Sequence, residues 1–415
     1  MGKILLLAMM VCVSSGLSQT VEYTKRSKNE VRNGPGNYFN LLAVLPAGVA
    51  IPKVKAEGGW INFQLSRLIV SEEFTAWISK NCLIDKRPGK GLKELKAEWL
   101  SPKASPAAVA AAIRGFAVRY GRTSPPSVDS LFEAGGEITA NEYLKFKQGM
   151  SGQEPVRGAQ APVPADEGLS TEYDVSLAEE GIGLGIAARI AGSGLLNDPA
   201  LSKYVNLIAA LLMESTGAYD MPLKIYITKE TAVHTASAPG GYIFITKRMI
   251  EMCNDEAELA AVLAHEIMHL IYQHGMKEIR ARLNNIAMDE AMAELDVETG
   301  QVSDEVVEEL EDFAIEAYET VNKPRLLAYE QEADRGAAFL LAKTGYDPMA
   351  VARMILAMRD IVGKSEDLDK ENPFLRLDIQ KRYDKALLEI QKYLSGIKGV
   401  RNKERFYKEI GRSER

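Results

Sequence analysis

Hydrophobic positions change period along the chain and divide it into stretches of different character. Ile4–Val13 is one unbroken apolar run. Three short runs rich in β-formers follow, Leu41–Leu45, Gly48–Val54 and Gly58–Leu65, separated by Gly and Pro. That pattern predicts a small barrel or sandwich. Ala107–Tyr120 and Asn141–Lys147 carry apolar residues at helical spacing. Beyond residue 169 the pattern is mainly helical, and Ile182–Ile190, rich in Gly and Ala, reads as a packed helix. One β-rich interruption, Leu223–Thr228 and Tyr242–Thr246, breaks this part. A strongly helical stretch begins at Asp255, where Asp255 and Glu258 suit a capping box. Another runs from Pro324, in its first turn, to Gly345 and Pro348. After Gly396 a mixture of Lys, Arg and Glu reads as a frayed helix. No internal repeat is visible.

The chain has 415 residues, too many for one ordinary domain. The expected division is a signal peptide (1–20), a small all-β barrel (21–84), a helical connector (85–150), a Pro-containing flexible linker (151–168), a mainly helical domain with a small sheet (169–396) and a charged tail (397–415). The fold class is therefore α+β and multidomain. Lys3, the apolar run and the small residues Ser14, Ser15 and Gly16 compose a secretory signal. The run is short for a membrane span, and Val11 before Cys12 does not suit lipid attachment. An exported chain, periplasmic or extracellular, is expected, with no transmembrane span after leader removal. Cys82 and Cys253 then remain. An oxidising compartment permits a disulfide between them, but their spacing does not specify one. Hydrophobic residues are 46% and charged residues 26%, a globular balance. The net charge of -7 excludes a phosphate-driven nucleic-acid binder.

Residues 265–269 read His-Glu-Ile-Met-His on the helix that begins at Asp255. Positions four apart share a helix face, so His265 and His269 can point at one ion. Glu266 is turned roughly 100° from His265 and can act as the base toward a water at that ion. Both imidazoles are flanked by Val262, Leu263, Ile267, Met268, Leu270 and Ile271, and polar groups in so apolar a helix need partners. Two of the chain's four histidines occupy this motif. Catalytic zinc needs a third protein ligand and an open position. No third histidine follows at short spacing, so a distant carboxylate is expected, and Glu330 in Tyr329-Glu330-Gln331-Glu332-Ala333-Asp334-Arg335 is the candidate. Asp334, one turn on, can accept the free ring N–H of a ligand histidine. Glu332 points elsewhere and reads as surface. The cofactor expected is one Zn2+ per chain.

His265-Glu266-Ile267-Met268-His269 followed by Glu330-x-x-Ala333-Asp334 resembles the HtpX/BepA-like zinc metalloendopeptidases, soluble relatives of the CAAX prenyl proteases. Pro239-Gly240-Gly241-Tyr242-Ile243-Phe244-Ile245-Thr246 resembles the strand before that family's zinc helix, and Gly345-Tyr346-Asp347-Pro348 resembles the segment after its third-ligand helix. The resemblance spans roughly residues 170–395 and implies a gluzincin-type peptidase domain. Two departures stand out. The family's Asn six residues before the first of the two glycines is His234 here. The His-Pro six residues before an Arg, taken as Arg382, is Arg376-Leu377, which removes any gating role tied to that histidine. His234 is a candidate transition-state stabiliser. Farther upstream, Arg32-Asn33-Gly34-Pro35, Leu45-Pro46-Ala47-Gly48, Gly58-Gly59-Trp60 and Ala76-Trp77-Ile78 resemble the bacterial SH3-like barrel, with Ala76 where its closing Gly stands.

The resemblance implies peptide-bond hydrolysis, with Gly240, Gly241, Tyr242 and Ile243 as a substrate-binding strand to which an extended peptide adds, and with the two glycines allowing close approach. Backbone recognition of this kind fits unfolded or misassembled envelope proteins. Two other readings stand beside it: a peptidase-fold chaperone, and a cell-wall-associated binding protein localised by its SH3-like part. From Asp289 to Thr320 there are thirteen acidic residues and no Lys or Arg. They read as a solvated helical hairpin turning at Thr299-Gly300, or as a lid that gates the site or favours basic substrates.

Overall fold

The computed structural model describes residues 9–11, 21–26, 29–67, 73–87, 131, 138–150, 177–282, 325–362 and 375–412. The linker 151–168, the helical pattern over 107–120 and the acidic stretch 289–320 lie outside the described residues. The chain forms two compact units, Met1–Ala111 and Ala112–Arg415.

The first unit is all β among its described residues apart from one short helical turn at Lys80–Cys82. Its strands are β1 (Met9–Val11), β2 (Val21–Thr24), β3 (Asn29–Arg32), β4 (Leu41–Leu45), β5 (Ala50–Pro52), β6 (Lys55–Glu57), β7 (Trp60–Arg67), β8 (Glu73–Ser79) and β9 (Leu83–Ile84). Of the twenty residues read as a signal peptide, only Met9–Val11 are described, as a strand against β7. The strands lie in two sheets, β1-β7-β8-β3-β4 with β6 also on β7, and β5-β2-β9. The expected small barrel is therefore corrected to an open arrangement: no closed ring of strands forms among the described residues, because β4 and β1 end one sheet while β2 pairs into the other. Val31, Leu45, Ile51, Ile61, Phe63, Ala76 and Ile78 fill the core. Arg32 holds the Gly-Pro loop, donating to Asn37 O at 3.0 Å and Phe39 O at 2.8 Å.

The second unit carries α1 (Ala140–Gln148), α2 (Leu177–Ala191), α3 (Pro199–Glu214), α4 (Lys247–Met252), α5 (Glu256–Ile271), α6 (His274–Arg282), α7 (Leu327–Thr344), α8 (Met349–Val362), α9 (Leu375–Tyr393) and α10 (Lys403–Glu409). Its sheet has three strands, β10 (Lys224–Thr228), β11 (Thr235–Ala238) and β12 (Tyr242–Thr246), in the order β10-β12-β11. β12 runs parallel to β10 and antiparallel to β11. α5 is buried along nearly its whole length, which explains why its apolar residues are not confined to one stripe.

Asp255 caps α5 by accepting from Glu258 N at 2.9 Å. The reciprocal half of the expected box is displaced by one residue, since Glu258 accepts from Asn254 N at 2.8 Å. Gly336 of α7 faces the α5 side: a Cβ there would lie 2.8 Å from Met268 Cε, so a larger residue would have to push the Met268 side chain aside. α7 starts at Leu327, three residues after Pro324, and ends at Gly345 with φ 88, the left-handed cap expected of glycine.

The charged tail read as a frayed helix is corrected: residues 398–412 pack onto this unit. Phe406 is fully buried. Arg401 O accepts from Glu256 N at 3.0 Å, taking up one of the backbone donors that a helix start leaves without an intrahelical partner. The basic residues pair with acids at the α5 N-terminus, Arg401 Nε with Asp255 at 2.5 Å and Arg405 Nε with Glu256 at 2.5 Å. Acids at that position also favour the helix dipole. Cys82 and Cys253 are both buried free thiols.

Candidate active site

α5 carries His265, Glu266 and His269, and α7 brings Glu330 and Asp334 against them. His265 Nε2 and His269 Nε2 are 3.0 Å apart, and Glu330 oxygens lie 3.5 Å and 3.4 Å from them. Four ligands at about 2.0–2.1 Å around a tetrahedral zinc ion are separated from one another by roughly 3.3–3.4 Å. The three observed separations bracket that edge length. Two imidazoles and one carboxylate are also the donor set that zinc takes, whereas hard cations prefer all-oxygen sites. The residues present therefore fit a zinc ion, and Glu330, sixty-one positions from His269, is where the sequence pattern expected it.

Behind the cluster, Asp334 Oδ1 is 2.9 Å from His265 Nδ1, the orienting position expected for it. Arg382 of α9 holds both acids of α7. It donates to Asp334 through Nε and Nη2, each at 2.8 Å, and its Nη1 is 2.5 Å from Glu330 Oε2. Burial raises the pKa of Glu330, but Arg382 and the two histidines outweigh it and leave the carboxyl well below the usual carboxylate range. Burial pulls His265 down, but Asp334 and Glu330 overcome it and raise it to about 9. His269, also buried and next to His265, is pushed down to about 4. Arg376 and Leu377 lie in α9, and their side chains are outside the described residues.

Glu266 is buried, and its Oε1 accepts from Thr235 Oγ1 of β11 at 2.7 Å. Burial raises its pKa, but His269, His265, Arg325 and the Thr235 hydroxyl outweigh burial and hold the carboxyl below its ordinary value. It is an ionised carboxylate beside the two imidazoles, ready to accept a proton. Arg325, just before α7, donates to Ser237 O at 3.3 Å and Ser237 Oγ at 3.2 Å, tying β11 to the start of the α7 segment.

The expected substrate-binding strand is corrected. Tyr242 and Ile243 belong to β12, the central strand, which pairs on both sides and has no free edge. Gly240 and Gly241 have φ 85 and 90 and form the turn between β11 and β12. A Cβ on Gly241 would lie 2.5 Å from Pro222 O, so backbone packing, not a substrate, requires its absence. Among the described residues β11 pairs with β12 alone, which makes β11 the edge strand. His234, immediately before β11, is exposed. Its N–H faces Thr246 Oγ1 at 3.3 Å and its carbonyl accepts from Thr246 N at 3.1 Å, so its backbone anchors the strand start. No contact found in the structure supports a transition-state role for its side chain.

A model of Peptidase family M48 matches residues 199–395. The chain carries an M48 peptidase domain. The M48 match begins at the first residue of α3 and ends two residues after α9, so it contains every residue of the cluster and leaves out the β unit and α10. Among curated proteins, the chain is similar to the beta-barrel assembly-enhancing protease of Escherichia coli K12, 22% identical over 214 residues that cover 47% of this chain and 40% of that protein. Its counterpart in Yersinia pestis is 23% identical over 172 residues, covering 41% and 35%. The mitochondrial metalloendopeptidase OMA1 of Schizosaccharomyces pombe is 27% identical over 152 residues, covering 35% and 41%. The chain spans about two fifths of the length of the curated relatives it matches. No described helix is long and apolar enough to cross a membrane.

Four residues around the cluster escaped the sequence reading or received no role in it. Thr235 and Arg325 carry no motif, and nothing local marks them. Arg382 was visible only as a family position. His274, fully buried, sits with its Nδ1 2.8 Å from His269 Nδ1 and its Nε2 3.1 Å from Glu332 Oε2. Burial and the charges of His269 and Lys277 hold its ring neutral, with a pKa of about 2. In a chain with only four histidines, its place five residues beyond His269 was a usable signal. Glu332, read as surface, is half exposed but points its carboxylate inward to His274.

Proposed function

We propose that the chain is an exported zinc-dependent endopeptidase that cleaves extended or misfolded envelope polypeptides, with one zinc ion held by His265, His269 and Glu330 and with Glu266 as catalytic base. The observation that carries this reading is the position of Glu266: a buried, ionised carboxylate beside the ligand imidazoles, hydrogen-bonded to the edge strand β11. When bound, zinc supplies Lewis-acid polarisation of a peptide carbonyl and of a water. Glu266 takes that water's proton and delivers it to the leaving amine. The Thr235 hydroxyl occupies one oxygen of Glu266 and leaves the other for the proton. Arg382 and Asp334 keep Glu330 and His265 in place through both transfers.

A substrate in extended form fits the outer edge of β11. His234 exchanges its backbone hydrogen bond with Thr246 of β12. By strand alternation the backbone groups of Thr235 and Ser237 then face away from β12; the Ser237 carbonyl is taken by Arg325, which leaves the Thr235 groups and the Ser237 N–H for a peptide. A peptide adding there places its carbonyl next to Glu266, and recognition through main-chain groups tolerates many side chains. The leader-like composition of residues 1–20 supports a periplasmic location and, with it, envelope proteins as the substrate class, and the word protease in the relatives' names supports a polypeptide substrate. The N-terminal β unit, with its SH3-like motifs, is the part proposed to bind a cell-wall or protein ligand.

The test is zinc content by elemental analysis together with casein digestion, for wild type and Glu266→Gln. Both proteins are expected to hold one zinc, and only wild type to cleave. Cleavage by a clean Glu266→Gln preparation removes the base assignment; zinc-free wild type removes the metal assignment.

A further inference from the structure

The ligand histidines differ in what stands behind them. His265 has the carboxylate of Asp334 at its Nδ1. His269 has another imidazole. An uninterrupted α5 would carry the residue five positions after His269 roughly 140° around the helix axis, off the shared face. The chain does not continue. α5 ends at Ile271 with Tyr272 as its C-cap, Gln273 takes φ 55, and α6 starts at His274. A left-handed non-glycine residue is uncommon and costs about 1 kcal/mol or more. The break turns the His274 ring back to His269, with centroids 5.0 Å apart at 70°. Tyr329 stacks on the other face at 4.3 Å and 13°, and Glu332 Oε2 lies 3.1 Å from Nε2. The helix that presents Glu330 to the Nε2 side of His269 thus also supports its Nδ1 side, through Glu332 and His274.

Hydrogen-bond accounting fixes one arrangement of protons. Nε2 of His269 faces the cluster, so Nδ1 carries the hydrogen and donates it to His274 Nδ1. His274 then carries its hydrogen on Nε2 and donates to Glu332. In this arrangement every ring nitrogen of the pair is used. Without His274, the N–H of a side chain that is 1% exposed would be left unpaired in the protein interior.

We propose that His274 and Glu332 are positioning residues that fix the tautomer and ring orientation of the metal ligand His269, and that this arm makes zinc release slow. Partners of this kind set both the aim and the basicity of a ligand imidazole. The proposal rests on the metal-site reading given above.

The experiment uses the full zinc-loaded chain and follows zinc transfer to the chelator 4-(2-pyridylazo)resorcinol, with thermal melting of the zinc-free protein measured in parallel. Three variants are compared. His274→Phe fills the space but accepts no hydrogen bond and is expected to release zinc about 10–100-fold faster than wild type. His274→Asn keeps an acceptor near the Nδ1 position and is expected to stay within about threefold. Glu332→Ala, on a half-exposed side chain, is expected to release zinc about 3–10-fold faster with little change in melting. A purely packing role predicts that release follows the melting of the zinc-free proteins and that Asn is no better than Phe. That result, or release from His274→Phe within twofold of wild type, overturns the proposal. If His274→Phe does not fold, unchanged release from Glu332→Ala overturns it. Wild type that holds no zinc overturns the metal site itself, a separate and recognisable outcome.

Discussion

Arg405→Met tests whether the C-terminal segment secures the helix that carries the site. Glu256, the first residue of α5, is fully buried. Its carboxylate accepts from Tyr204 Oη at 2.8 Å, Tyr346 Oη at 2.7 Å, Asn402 Nδ2 at 3.0 Å and Arg405 through both Nε and Nη2. Removing one partner of a buried ion pair costs about 3–5 kcal/mol, because the other charge stays buried. Two features lower that figure here. Three neutral donors remain on Glu256, and the Arg405 side chain is 23% exposed, so water can enter where the guanidinium was. The expected loss is about 2–3 kcal/mol. Glu256→Gln should cost less, about 1 kcal/mol, since the guanidinium can turn toward solvent. The double variant should then be more stable than the sum of the two losses predicts, by about 1 kcal/mol or more. The assay is urea unfolding followed by helical circular dichroism. Tryptophan fluorescence does not report on this unit, because Trp60, Trp77 and Trp99 all lie in the first one. At roughly 2–4 °C per kcal/mol, the thermal midpoint should fall by about 4–12 °C. A loss under about 0.5 kcal/mol for Arg405→Met, or strict additivity in the double variant, refutes the reasoning.

Two further predictions concern Glu266, the proposed base, and the tyrosines beside Glu256. Thr235→Val keeps the shape of the side chain but removes the donor to Glu266; kcat for peptide cleavage should fall about tenfold, near 1.4 kcal/mol, with KM little changed, and an unchanged kcat would show that Thr235 does not position the base. The pKa values of Tyr204 and Tyr346 are raised, by burial first and by the charge of Glu256 second. A group whose folded pKa lies above its unfolded value of about 10 contributes stability below that pH and loses it above, as the unfolded chain releases the proton. Urea midpoints should therefore drop more steeply above pH 10 for wild type than for the Tyr204→Phe or Tyr346→Phe variants; parallel slopes would count against it.

The parts legible in the sequence were those that local helix geometry determines. His265, Glu266 and His269 are placed by a four-residue spacing, and Asp334 follows Glu330 by the same rule. Glu330 itself was reachable because zinc chemistry demands a third ligand and the helical stretch around it supplied a carboxylate. The strand assignments fared differently. Tyr242–Thr246 was recognised as a strand, but whether a strand is central or at an edge depends on which neighbours the chain folds against it. β12 lies between β10 and β11, so among the described residues an edge position beside α5 belongs to the shorter, less hydrophobic β11.

The tail shows the same limit in electrostatic form. Arg401 and Arg405 fall in the stretch that read as a frayed helix, because its mixture of Lys, Arg and Glu names no partner for them. Their partners, Asp255 and Glu256, stand 146 and 149 positions earlier and read as ordinary helix-start acids. A helix-start acid needs no partner while it faces water, so the pattern carries no sign of the basic segment. Once α5 is buried on every face, those acids have to be neutralised by something that travels with the fold. His274 follows the same logic at the other end of the helix: burying His269 creates a need for an acceptor, and the chain breaks helical geometry at Gln273 to meet it. Both ends of α5 are thus governed by the cost of burying polar groups, and their partners are found by asking what each buried polar atom requires.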